Sequence, residues 1–141
     1  MEYKRFNEKI ILRLDPGDEI IDSLLKLAEK ENILFANVTG IGASDDIVIG
    51  VYDLEDRQYH KKKFEGRNYE IVSLSGNINR MNGKPYVHLH AAIGSPRYSS
   101  FEGGHLDEAR ISATAEIVLN IIEAKIDRDV SEETGLNVLK F

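Results

Sequence analysis

Apolar residues recur with a period of two through most of this chain, and with helical spacing in one clear stretch. That contrast constrains the fold more than any other feature, because a period-two segment buries one face of a strand and must find a layer to bury it against. Ile10, Leu12 and Leu14 alternate with Ile11 and Arg13, which predicts a first strand. Ile33 to Val38, Ile47 to Tyr52, Gln58 to Phe64 and Tyr69 to Ile78 read as further strands. Ile111 to Ile122 sets Ile111, Ala113, Ala115, Ile117, Leu119 and Ile121 on one side. Ile111, Ala115, Val118 and Ile122 would also fit a helix, but the Ile, Val and Thr content favours a long strand. Asp53 to Asp56 and Glu65 to Asn68 are expected to turn the chain. Asn82-Gly83 is a good hairpin turn into a strand at Tyr86, where Pro85 is tolerable.

The one helical stretch is expected over about residues 16–31. Asp15 can cap it, Pro16 suits its first position, and Asp18 and Glu19 complement the positive end of the dipole. Ile20, Leu24, Leu27 and Ala28 form its stripe, and Asn32 can close it. Gly40-Ile41-Gly42 after a strand suggests a dinucleotide loop, but Asp45 stands where the third glycine belongs and a strand follows instead of a helix. A tight glycine connection between strands is the better reading. The tail, Asp127 to Phe141, is expected to add a short edge strand. The residues thus predict many strands and one main helix. At 141 residues the chain is expected to be one domain spanning 1–141.

Tyr86 to Asp107 holds three of the four histidines. His88 and His90 are two apart on a predicted strand, so they share one face with Tyr86 and Ala92. Val87, Leu89, Ala91 and Ile93 take the core face. His105 is expected to arrive after a loop that includes Ser95-Pro96, behind Gly103 and Gly104, which allow close backbone approach. Two readings fit this spacing. One is a three-imidazole metal site with an open fourth position, and the other a hydrogen-bonded polar strand face. Glu102, Asp107 and Glu108 stand near enough in sequence to orient ring N–H groups. Glu116, among apolar neighbours, is expected to face solvent.

The chain has no cysteine, which excludes disulfides, Cys-type zinc sites, iron–sulfur clusters and thiol nucleophiles. Its start, MEYKRFNEKI, lacks the apolar core of a signal peptide and no run approaches transmembrane length, so a cytoplasmic protein with no membrane partner is expected. The net charge of −6 opposes binding of polyanions. Lys61-Lys62-Lys63 is the one basic cluster, and such a run fits a solvated strand edge.

Taken in order, Gly40-Ile41-Gly42-Ala43, Tyr69-Glu70-Ile71-Val72-Ser73-Leu74-Ser75-Gly76, His88-Leu89-His90 and Gly103-Gly104-His105-Leu106 resemble the PPC domain (plants and prokaryotes conserved). Glu116-Ile117-Val118 falls where that family has a strand with an acid. The resemblance covers nearly the whole chain. It implies an α+β fold, mostly antiparallel β-sheet with one main helix, a homotrimer and, as in bacterial and archaeal members, chelation of a metal, zinc first, by His88, His90 and His105. Plant members carry AT-hook segments that grip DNA; no Arg-Gly-Arg-Pro element occurs here. The expected function is a metal-binding trimeric assembly or regulatory module with a small-molecule or protein ligand. The alternative is a small zinc-dependent enzyme with Glu102, Asp107 or Glu116 as base. A DNA-associated protein acting through Lys61 to Lys63 comes third, and autonomous nucleic-acid binding is not expected. Metal affinity should fall as pH drops through roughly 6, where ordinary imidazoles protonate.

Overall fold

A computed structural model describes residues 1–95, 97 and 99–141, so Pro96 of the expected Ser95-Pro96 loop lies outside the described residues. The elements run β1 (Glu2–Phe6), β2 (Lys9–Leu14), α1 (Ile20–Lys30), β3 (Ala36–Asp53), β4 (Gln58–Met81), β5 (Lys84–Gly94), β6 (Phe101–Ile121), β7 (Asp127–Val130) and β8 (Asn137–Lys140). Mostly antiparallel strands with a single helix make this a small α+β protein, as the family resemblance implies. The main sheet has six strands in the order β1-β2-β6-β3-β4-β5, and a further pairing of β5 with β6 closes β3, β4, β5 and β6 on themselves. Closure follows from length: β6 is long enough to pair with β5 through Phe101 to His105 and with β2 through Ala115 to Asn120, along one edge, while β3 takes the other.

The core lies where the alternation puts it. Ile10, Leu12 and Leu14 of β2, and Ile117 and Leu119 of β6, are buried with Ile20, Leu24, Leu27 and Ala28 of α1. Each large aliphatic side chain buried there contributes about 1.5–3 kcal/mol relative to exposure. The sheet's outer face keeps apolar residues in the open: Ile11 is 53% exposed and Ile41 56%.

Five expectations need correction. First, the helix starts at Ile20, not near Pro16. Gly17 has φ +93, outside helical space, and its N–H donates to the Ile111 carbonyl, while Ile111 donates back to Asp18. Asp15 to Asp18 are thereby pinned to β6 as a turn, and the cap is Glu19. Its carboxylate accepts from the Asp22 N–H at 2.6 Å and from the Ala109 N–H at 2.9 Å. The far end agrees with the sequence, since Asn32 closes the helix with φ +49. Second, Gly40 to Gly42 do not connect two strands but lie inside β3. A Cβ on Gly40 would meet the Glu116 carbonyl oxygen at 2.9 Å and one on Gly42 the Ala115 Cβ at 2.7 Å, so these glycines let β3 press onto β6.

Third, Glu65 to Asn68 do not reverse the chain. The register steps from Ser44–Tyr69 to Asp46–Glu65, so these residues form a bulge within β4, with Gly66 at φ +74. Fourth, the strand expected from Ile111 begins ten residues earlier, at Phe101, so Gly103, Gly104 and His105 are residues of β6. Fifth, the tail does not join the main sheet as an edge strand. β7 and β8 pair with each other and lie against β4. An earlier strand, β1, was not apparent in the alternation at all; it pairs with β2 through a reversal at Asn7, φ +55. No helix among the described residues is long and apolar enough to cross a membrane.

Candidate metal centre

Two adjacent strands bring the three histidines together. On β5, Leu89, Ala91 and Ile93 point into the core, which turns His88 and His90 outward. Strand β6 pairs with β5 so that His105 sits opposite His90. Gly104 makes that placement possible, since a Cβ there would lie 2.6 Å from the Gly50 carbonyl oxygen on β3. The ring centroids are 5.3 Å apart for His88 and His90, 5.1 Å for His88 and His105, and 5.7 Å for His90 and His105. One ring nitrogen from each lies within 4.8 Å of the others, so the group could hold a metal ion. A tetrahedral zinc site with Zn–N of about 2.0–2.1 Å sets its ligand nitrogens about 3.4 Å apart. The trio is therefore open by at most about 1.4 Å, a gap that small ring rotations close.

Electrostatics prepare two of these rings, His88 and His105, as neutral donors. His88 is half-buried, and burial first, then the nearby Arg128 charge, push its pKa down to about 4. Burial also lowers His105, against an opposing pull from Asp107. His90 is exposed and gives the site its opening to solvent.

Arg128, which no sequence motif marks, also borders the trio. It lies on β7, is 4% exposed, and reaches under the hairpin of β7 and β8 onto the outer face of β4. Its Nε donates to Asn79 Oδ1 at 2.9 Å, one terminal nitrogen to the Asn137 carbonyl at 2.7 Å, and the other to Asn77 Oδ1 at 2.9 Å. That last nitrogen also stands 3.5 Å from His88 Nδ1, and the guanidinium covers the Tyr86 ring at 4.7 Å. All these acceptors are neutral. Among the described residues no carboxylate forms an ion pair with Arg128, and burial lowers its pKa. A lone arginine in a polar tail carries no sequence signal that would single it out.

Of the acids proposed from sequence, Asp107 is the one placed beside the trio. It accepts from the Tyr59 hydroxyl at 2.8 Å and pairs with Lys61 at 3.1 Å, while the Tyr59 ring stands edge-on to His105 at 6.1 Å. Burial and then Asp107 raise the Tyr59 pKa. Glu102 falls on the opposite face of β6 from His105 and pairs with Lys62 at 2.8 Å. Glu116 faces solvent, as expected, but sits far along β6 beside Arg13 and Ile41, away from the histidines. The fourth histidine, His60, lies with Asp53 and Asp56 in an exposed cluster and pairs with Asp56 at 3.2 Å. Lys63 pairs with Asp46 and Glu65, so every lysine of the basic run has an acidic partner.

The model of the Plants and Prokaryotes Conserved (PCC) domain matches residues 1–123. A metal-containing protein from Archaeoglobus fulgidus is 33% identical, with a TM-score of 0.86 over 99% of this chain and 97% of its own. A protein from Bacteroides thetaiotaomicron, provisionally described as DNA-binding, is 31% identical, with a TM-score of 0.94 over 99% and 96%. A plant- and prokaryote-conserved protein from Pyrococcus horikoshii is 28% identical, with a TM-score of 0.83 over 96% and 92%. No curated protein matches the chain.

Proposed function

This chain belongs to the Plants and Prokaryotes Conserved domain family, and we propose that it is a cytoplasmic, homotrimeric metal-binding module holding one divalent ion per subunit at His88, His90 and His105. One observation carries the reading: three imidazole nitrogens from one face of two paired strands lie within 4.8 Å of one another. Zinc is the ion that suits three neutral nitrogens with no sulfur ligand and room for a fourth partner. The metal-containing relative from Archaeoglobus fulgidus supports the same reading. The trimer is supported by Ile11, Ile41 and Val72, an apolar outer face that the single helix does not cover.

A second reading, a small zinc-dependent enzyme, draws support from Asp107 and Tyr59 beside His105. Bound zinc would supply a Lewis acid with one open position. Asp107 would be the group to hold or move a proton there, in place of Glu102 or Glu116. The module stands ahead because Asp107 is already engaged by Tyr59 and Lys61.

The test is metal analysis of tag-free protein purified without chelator, followed by zinc titration of the four single histidine variants. One zinc per subunit is expected. His88→Ala, His90→Ala and His105→Ala should each weaken binding by about a hundredfold or more, since two protein ligands remain. His60→Ala should leave it unchanged. Equal loss in His60→Ala and His90→Ala would refute the assignment.

A further inference from the structure

Arg128 lies beyond the residues that the family model matches, and its burial without an acid partner is what the metal site alone does not account for. A guanidinium out of water ordinarily takes a carboxylate partner, because neutral acceptors satisfy its N–H groups and leave its charge uncompensated. Here three of its contacts are well-made bonds to amide oxygens, and the fourth, to His88 Nδ1, is 3.5 Å, the outer limit of a hydrogen bond.

That weak contact does not survive metal binding by His88. If the ion takes Nδ1, the lone pair facing Arg128 is used. If it takes Nε2, the neutral ring carries its proton on Nδ1, and two donors face each other. Either way one N–H of a buried, uncompensated cation is released beside the ion. Three neutral imidazoles leave the ion's full charge in place. Asp107, the acid beside His105, is already engaged by Lys61 and Tyr59. The filled site would therefore hold two positive centres, and among the described residues no carboxylate pairs with the guanidinium.

We propose that the site takes a small organic carboxylate, one oxygen on the metal's open position and the other on the released N–H of Arg128. This rests on the metal-site reading above and adds the class of ligand to it. A carboxylate suits the pair because its two oxygens are coplanar and can face an ion and a guanidinium N–H at once.

Acetate is the probe, read by calorimetry on zinc-loaded protein and by the visible spectrum of the cobalt(II)-loaded form. Acetate should bind the loaded wild type. Arg128→Met should weaken acetate by about tenfold or more, the scale of one charge-assisted bond, without weakening metal binding. Arg128→Lys should recover part of the loss. Should Arg128→Met fail to fold, the Arg128 Nε–H resonance of wild type serves instead: acetate should shift it in zinc-loaded protein and leave it unmoved in metal-free protein. Equal acetate affinity in wild type and Arg128→Met, an unmoved resonance in loaded protein, or inorganic phosphate binding more tightly than acetate would each overturn the proposal. Zinc binding without acetate binding sinks this inference alone. Absence of zinc binding removes the metal-site reading and this one together.

Discussion

Metal binding at the trio should resist acid more than three ordinary histidines would. Proton and ion compete for the same ring lone pair, so each imidazole weakens binding as pH falls below its own pKa. At pH 5.5 a ring of ordinary pKa, about 6.5, is protonated roughly ten to one. Three such rings would cost on the order of a thousandfold in affinity relative to pH 7.5. Burial has moved His88 down to about 4, so it is almost wholly neutral at pH 5.5 and costs next to nothing. His105 is displaced in the same direction. With His88 contributing next to nothing, the loss between pH 7.5 and 5.5 should fall clearly short of that thousandfold. The loss near pH 6 expected of ordinary imidazoles moves lower because a ring without solvent around it holds its proton poorly. Zinc affinity measured against a chelator of known proton dependence, at pH 7.5, 6.5 and 5.5, checks this. A thousandfold loss, or about three protons released per ion at pH 5.5, would refute the argument and mean that the rings are solvated.

Gly76→Ala should destabilise the fold by about 1–3 kcal/mol and weaken zinc binding as well, because the new Cβ would collide with the His88 carbonyl oxygen on β5; urea denaturation and zinc titration read the two effects. Light scattering at micromolar concentration should give three times the 15.9 kDa chain mass, and a monomer mass would remove the trimer. Random duplex DNA at physiological salt should not shift with low-micromolar protein, since the charge of −6 per chain, about −18 in a trimer, opposes counterion release. A salt-dependent shift abolished by charge reversal at Lys61 to Lys63 would reverse that conclusion.

The core was legible because burial imposes a period. Leu89, Ala91 and Ile93 could be assigned inward from alternation alone, and that same alternation set His88 and His90 outward. What misled was glycine. Gly40, Gly42 and Gly66 look like punctuation in a sequence, yet two of them admit a neighbouring strand and the third relaxes a bulge. A glycine needed for close approach and one needed for a turn are the same letter, and only the partner strand tells them apart. Helix α1 failed at its start for a related reason. Asp15 and Pro16 make a sound local cap, but Ile111, nearly a hundred positions away in the chain, accepts from the Gly17 N–H and donates to the Asp18 carbonyl, and these bonds outcompete it.

The same logic divides the site. His88, His90 and His105 were found because two share a strand face and the third follows behind a recognisable glycine pair, all local in sequence. Choosing among Glu102, Asp107 and Glu116 required the register of β6. His105 sits opposite His90, which sends Glu102 to the other face and keeps Asp107 on the same one, in reach of Tyr59. Arg128 required more still: a separate hairpin folded onto β4, with Asn77, Asn79 and the Asn137 carbonyl holding a charge out of water. The cost of burying that guanidinium is several kcal/mol if nothing compensates it. The proposed carboxylate would supply that compensation, which gives a cation held in that way beside the histidine trio a role in what the site binds.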